Sequence, residues 1–194
     1  METYSVFGQP VATFDVDYDD VLLAQTIKDW KRMTSYPRLK KGITNFEWGG
    51  NFLEEAKLTQ LTEDLEKCCD LYTEKFNLES VIIATSWFNI IYQGGELEFH
   101  DHTLSETQGY LFPVKLSGAF YFKIAKDSAP LVFQKTGEPS FKLYPQNGRL
   151  IIFPDHLSHG VEVNKSVERG TLTFGTEDKK IATLFRRMQG RKTT

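Results

Sequence analysis

The half of the sequence that follows Ser80 is rich in short strand-forming segments, and this feature constrains the fold more than any other. Clusters of Gly, Pro, Asn and Asp separate runs of β-branched and aromatic residues. The runs cover residues 81–92, 115–124, 131–134, 141–144, 149–153, 160–163 and 171–174. Short strands at this spacing are typical of a β-sandwich or a small barrel. We therefore predict a β-sandwich core over residues 80–176.

The first part of the chain has a different pattern, which predicts helices. After an extended segment at 3–16, Asp19 or Asp20 can cap a helix whose apolar residues recur on one face as far as Pro37. A longer helix is predicted around Leu58–Phe76, where the apolar residues keep a three- and four-residue period. Residues 34–51 contain Pro37 and several glycines, and we predict a loop there.

These segments predict one α+β domain that is mainly β. A chain of 194 residues fits a single domain, and no linker divides it. We expect residues 1–79 to be a helical support, 80–176 the β-sandwich and 177–194 a C-terminal helix or tail with a basic end.

Composition excludes several classes of partner. The net charge of −3, from 23 basic and 26 acidic residues, argues against general binding of polyanions such as nucleic acids. No apolar run approaches the roughly 18 to 20 residues of a membrane helix, and the N-terminus does not have the pattern of a secretory signal.

Cys68 and Cys69 are adjacent, so they cannot join distant segments, and on the apolar side of a predicted helix they are expected to be core residues. We expect a cytoplasmic protein with no membrane partner.

The histidines suggest a metal site. All four lie in two short clusters, His100 with His102 and His156 with His159. Residues two apart on a strand point to the same side, so the rings of His100 and His102 can converge on one ion. His159 would come from a later strand of the closed sandwich. Neutral imidazoles suit Fe, Zn, Cu or Ni. His156 follows a Pro-Asp turn, so we expect it to be a polar loop residue or to support the metal ligands without binding the ion itself.

Several motifs around these histidines resemble a known family. They are the segments WFN at 87–89, YQGG at 92–95, HDH at 100–102, LSGAFY at 116–121, GRLIIFP at 148–154, HGV at 159–161 and ERGT at 168–171. Together they resemble the 2-oxoglutarate- and Fe(II)-dependent oxygenases, in the prolyl-hydroxylase-like branch of bacteria and phages. The resemblance implies a double-stranded β-helix, or jelly roll, and a cytoplasmic dioxygenase of a bacterial or phage-infected cell. The implied cofactors are Fe(II), 2-oxoglutarate and O2.

The resemblance also implies roles for individual residues. His100, His102 and His159 would hold the iron, and no catalytic residue beyond these ligands is implied. Arg169 and Thr171 match the pair that grips the far carboxylate of 2-oxoglutarate, for which the planar fork of Arg is well suited. The remaining residues expected to line the co-substrate site are Tyr92, Tyr121 and Asn89.

Three alternatives remain open. The commonest ligand set of this family has a carboxylate where this chain has His102, so Asp101 is a competing ligand if the strand bulges. A cupin would use His100, His102, Glu106 and His159 on one metal without 2-oxoglutarate, and it would have no need for Arg169. The third alternative is a non-catalytic module, but its fold would not require the three histidines and Arg169 to lie in register with one another.

The substrate is not identified by the sequence. The resemblance allows prolyl or other protein residues as well as small molecules, and we do not expect nucleic acid. The loops expected at the mouth of the site are residues 34–51 and 103–114.

Overall fold

A computed structural model describes residues 1–102 and 115–190 of the chain, with residues 185–190 described by their backbone alone. The predicted loop at 103–114 and the last residues of the basic end therefore lie outside the described residues. Among the helices described, none is long and apolar enough to cross a membrane.

The first 79 residues contain strands as well as helices. In chain order the elements are β1 (Glu2–Val6), β2 (Gln9–Asp15), α1 (Asp20–Asp29), β3 (Thr34–Tyr36), β4 (Leu39–Thr44), a 3₁₀ turn (Phe46–Trp48), α2 (Phe52–Glu55) and α3 (Thr59–Lys75). The side chain of Asp19 accepts a hydrogen bond from the backbone N–H of Leu22 and so caps α1, as predicted. The helix ends at Asp29, however, well before Pro37.

The second part of the chain is almost entirely strand. Its elements are β5 (Val81–His100), β6 (Leu116–Phe122), β7 (Leu131–Phe133), β8 (Phe141–Leu143), β9 (Arg149–Pro154), β10 (His159–Val161), β11 (Glu168–Asp178) and α4 (Lys179–Gly190). The predicted mainly-β class with supporting helices is confirmed.

The strands of the described residues form one antiparallel sheet that folds over on itself through β5. The strand order is β1-β2-β9-β6-β11-β5-β10-β7-β8, and β4 also pairs with β5. Residues 81–92 of β5 pair with β11, whereas Leu97 and His100 pair with β10. The change of partner falls at Gly94, which has a φ of 76° that favours glycine, and Gly95, where a Cβ would lie 2.6 Å from the carbonyl of Lys40. This bend produces the two layers of a sandwich.

Alternation along the strands divides the core into two parts. On β6, Phe120 and Phe122 pack against the layer of helices, together with Leu172 and Phe174 of β11. The odd-numbered residues Ala119 and Tyr121 face the opposite layer and pack with side chains of β7, β8 and β9. The interior between the layers therefore receives the odd-numbered residues of β6 and β11.

The prediction of a loop at 34–51 is wrong. Residues 34–44 form the β3–β4 hairpin, and β4 continues the sheet by pairing with β5 from Leu39 opposite Leu97 to Thr44 opposite Asn89. The strands are short and lie at an edge, so they lack the strong apolar alternation that identifies a central strand. Pro37 lies in the turn between them.

Candidate metal centre

Antiparallel pairing of β5 with β10 brings the two histidine clusters together. His159 lies directly opposite His100 in the register, and His102 follows two residues after His100. The three ring centroids are 4.5 to 5.3 Å apart, and one ring nitrogen of each histidine lies within 4.8 Å of the others. The structure therefore brings together His100, His102 and His159 in an arrangement that could hold one metal ion.

Hydrogen bonds orient two of the three rings. The Nδ1 atom of His100 lies 2.8 Å from the carbonyl oxygen of Glu98, and the Nδ1 atom of His159 lies 2.8 Å from that of Leu157. A carbonyl oxygen only accepts, so both Nδ1 atoms carry the proton and both Nε2 atoms present a lone pair. The Nε2 atom of His102 is buried and has no hydrogen-bond partner among the described residues. Three imidazoles arranged in this way fit a divalent transition metal.

The electrostatics keep the three rings neutral. Burial, and then the charge of His100, lowers the pKa of His102 to about 3. Burial also lowers the pKa of His159 well below its usual value. The pKa of His100 is lowered mainly by burial, with a further contribution from the positive charge of Arg38. A neutral imidazole is the form that binds a metal, so these rings need no deprotonation at neutral pH.

The competing ligands are not part of this group. Asp101 lies between two of the histidines in sequence but is not a member of the cluster. His156 is half-exposed, and its Nδ1 atom lies 3.5 Å from Asp155. Glu106, the additional ligand of the cupin alternative, lies outside the described residues.

Arg169 is a buried cation in the same interior. It is 2% exposed, its Nε atom donates to the carbonyl of Ala129 at 2.9 Å, and an Nη atom donates to the Oγ1 atom of Thr171 at 2.7 Å. No ion pair joins its guanidinium to a carboxylate in the part of the chain that the structure describes. An unpaired buried charge is costly, so this arrangement favours an anionic ligand.

The other residues predicted for the co-substrate site do not all reach it. Tyr121 lines the cavity, and its ring lies 5.0 Å from the guanidinium carbon of Arg169. Its hydroxyl is buried beside that guanidinium. Burial raises the pKa of Tyr121, and the charge of Arg169 opposes this effect. Asn89 also lines the cavity. Tyr92 does not line it and is 41% exposed. Before the bend at Gly94, the even-numbered residues of β5 face away from the side that carries Asn89.

One cavity joins these groups between the two layers. Its walls include the three histidines, Arg169, Thr171, Tyr121 and Asn89, with apolar side chains between them. The hairpin β3–β4 and the turn after it add Tyr36, Arg38 and Phe46 to the wall. The sequence predicts segment 34–51 at the mouth of the site, but a loop prediction does not indicate which of its side chains face the cavity.

Comparison with known proteins identifies the fold. No protein-family model matches the sequence, and no curated protein matches it. Among solved structures, a prolyl-4-hydroxylase of Pseudomonas putida is 14% identical with a TM-score of 0.61, and the match covers 87% of this chain and 92% of that one. HygX of Streptomyces hygroscopicus, solved with nickel, 2-oxoglutarate and hygromycin B, is 12% identical with a TM-score of 0.56 over 87% and 83% of the two chains.

A further match covers a shorter part of the chain. It is to an oxidoreductase of the 2OG-Fe(II) oxygenase family from Burkholderia pseudomallei, 17% identical with a TM-score of 0.49, and covers 57% of this chain and 50% of that one. The longer matches show that this chain has the jelly-roll fold of the 2-oxoglutarate- and Fe(II)-dependent oxygenases, which confirms the predicted fold.

Proposed function

We propose that this chain is a non-haem Fe(II) dioxygenase that couples the oxidative decarboxylation of 2-oxoglutarate to the hydroxylation of a second substrate. The observation that carries the proposal is the meeting of two features in one cavity. They are a cluster of three histidines and the buried cation Arg169, which has no ion-pair partner among the described residues. The first suits a transition metal and the second suits a carboxylate. A fold shared with HygX, which was solved with a metal and 2-oxoglutarate, supports the same assignment.

The three histidines would hold the iron through their Nε2 atoms. The carbonyls of Glu98 and Leu157 fix two of the rings with this nitrogen deprotonated, so the site is organised before the ion arrives. Iron, when bound, supplies the oxygen chemistry that side chains lack. Because all three ligands are neutral, the charge of the ion is left for the anionic co-substrate to balance, and binding of the ion alone is expected to be weaker than at a site with a carboxylate ligand.

Arg169 would position the co-substrate. Its guanidinium offers donors in a planar fork, and the side chains of Thr171 and Tyr121 lie beside it. Leu131, Phe153 and other apolar side chains of the cavity wall exclude water, which strengthens the pairing of this cation with a carboxylate.

The overall reaction is balanced by the co-substrate. 2-Oxoglutarate loses CO2 and becomes succinate, and one atom of O2 enters the new carboxylate of that succinate. The other atom of O2 forms the hydroxyl group on the second substrate. That substrate is either a protein residue, as the name of the Pseudomonas prolyl-4-hydroxylase indicates for that enzyme, or a small molecule such as the hygromycin B bound to HygX. The adjacent free cysteines agree with the reducing, cytoplasmic location that we propose.

The test is conversion of 2-oxoglutarate to succinate by the iron-loaded protein, quantified by mass spectrometry with and without O2. We expect oxygen-dependent succinate that is lost in His102→Ala and retained in His156→Ala, the matched variant of a histidine outside the cluster. Absence of oxygen-dependent succinate from the wild type at millimolar 2-oxoglutarate would favour the cupin alternative, which has no need of this co-substrate.

A further inference from the structure

The cavity has a wall that the proposed iron and co-substrate sites leave unused. It is formed by Tyr36 and Arg38 of the β3–β4 hairpin and by Phe46 of the turn that follows β4. The backbone N–H of Glu98 donates to the carbonyl of Arg38, and the pairing of β4 with β5 extends this attachment. The hairpin is therefore fixed beside the strand that ends at His100. We call these three residues, with Trp87, the hairpin wall.

Aromatic rings of the hairpin wall lead from solvent to the histidines. The ring of Tyr36 lies 5.1 Å from that of Phe46, which lies 4.9 Å from Trp87, and Trp87 lies 6.1 Å from His102. Trp87 is buried, whereas Tyr36 and Phe46 are half-buried. The rings form an apolar row in which neighbours have the tilted or edge-to-face arrangement that aromatic pairs prefer. An aromatic ring of a ligand can pack against this row in the same way.

Arg38 adds a positive charge to the hairpin wall. It makes no ion pair within the described residues, although the nearby Lys40 is paired with both Glu96 and Glu98. A cation that lines a cavity and has no acidic partner raises the local concentration of anions.

The two arginines of the cavity, Arg169 and Arg38, are available to different ligands. In the proposed function, 2-oxoglutarate engages the iron at one end and the buried Arg169 at the other, so its two carboxylates are both used. Arg38 is exposed and lines the cavity on the hairpin side, as the aromatic residues Tyr36 and Phe46 also do. It is therefore available to the second substrate.

We propose that the hairpin wall is the subsite for the substrate that is hydroxylated, and that it selects a compound carrying an apolar or aromatic ring together with a carboxylate or phosphate. The ring contacts Tyr36, Phe46 and Trp87, and the anionic group pairs with Arg38. This inference deepens the proposed function and rests on it for assigning the rest of the cavity to the co-substrate.

The test uses probes and the metal-free protein, so that it does not depend on turnover. Phenylacetate, phenyl phosphate and the neutral phenylacetamide are titrated at low salt, and binding is measured by ligand-observed NMR. We expect Arg38→Gln to weaken both anions about threefold to fivefold, at the upper end for an exposed charge pair, and to leave phenylacetamide unchanged. The tighter of the two anions identifies the preferred acid group.

Two further variants separate charge from ring contact. Lys40→Gln removes the same charge from the same hairpin, but Lys40 is already paired and does not line the cavity, so the affinities should not change. Tyr36→Ala should weaken all three probes, because the aromatic contact does not depend on their charge. Equal binding of phenylacetamide and phenylacetate by the wild type, or no binding of any probe at millimolar concentration, would overturn the inference.

The co-substrate provides a separate control. Arg38→Gln should retain the wild-type affinity for 2-oxoglutarate in the manganese-loaded protein. Loss of that affinity would place Arg38 in the co-substrate site and overturn the inference, as would anionic probes that lose their binding in Arg169→Ala but not in Arg38→Gln. Failure of the wild type to bind 2-oxoglutarate counts against the proposed function, whereas the hairpin wall is judged on the probes.

Discussion

Replacement of Arg169 with alanine should abolish 2-oxoglutarate binding while leaving metal binding intact. Arg169 is 2% exposed and has no carboxylate partner within the described residues, so a bound dicarboxylate would supply its counter-charge in a buried site. Removing one partner of a buried charge pair typically costs about 3 to 5 kcal/mol. At about 1.4 kcal/mol for each factor of ten, the expected loss of affinity is about a hundredfold to a few thousandfold.

The variant also loses hydrogen bonds within the protein, and this contribution can be measured separately. Arg169 donates to the carbonyl of Ala129 and to Thr171, and each hydrogen bond from a charged group contributes about 1.5 to 3 kcal/mol. Urea unfolding of the metal-free protein reports that loss of stability. Arg169→Lys keeps the charge but not the planar fork, so it should recover only part of the affinity.

Calorimetric titration of 2-oxoglutarate into the anaerobic, manganese-loaded protein is the assay for this prediction. Arg149→Ala is the matched control, because Arg149 is partly buried on β9 but does not line the cavity. A folded Arg169→Ala variant that binds 2-oxoglutarate within threefold of the wild type would refute the reasoning, since the buried charge would then have no part in holding the co-substrate.

Three other predictions concern the metal, the core and the cysteines. His102→Ala should weaken iron binding by at least about tenfold, measured by metal analysis after dialysis, whereas Asp101→Asn should bind normally; the reverse result would make the carboxylate the ligand. Gly118→Ala should lower the free energy of unfolding in urea by about 1 to 3 kcal/mol, because its Cβ would lie 2.0 Å from the ring of Phe174; an unchanged midpoint would contradict this packing. Burial raises the pKa of Cys68 to about 11, so alkylation at pH 8 should be much slower in the folded protein than in urea, and equal rates would show that the thiol is accessible.

The pattern of the sequence was sufficient to predict the sandwich and the histidine cluster. Alternation along a strand places His100 and His102 on one side, and this local rule held in the structure. The same rule places Tyr92 on the opposite face from Asn89. Its exposed position outside the cavity does not agree with the co-substrate contact that the family resemblance implies.

The β3–β4 hairpin could not be predicted in the same way. Its strands are stabilised by pairing with the distant strand β5, through contacts such as Leu39 with Leu97, and the local sequence around Pro37 favours a turn. The length of β5 has a similar origin, because Gly94 and Gly95 suggest an end to the strand but instead produce a bend between two layers. Long-range pairing decides both cases.

The most direct test of the central claim is a crystal structure of the protein soaked anaerobically with manganese and 2-oxoglutarate. We expect one metal ion on the Nε2 atoms of His100, His102 and His159, with the 2-oxo acid end of the co-substrate on the ion and its far carboxylate on Arg169 and Thr171. A metal held by Asp101 in place of His102, or 2-oxoglutarate bound away from Arg169, would contradict the account.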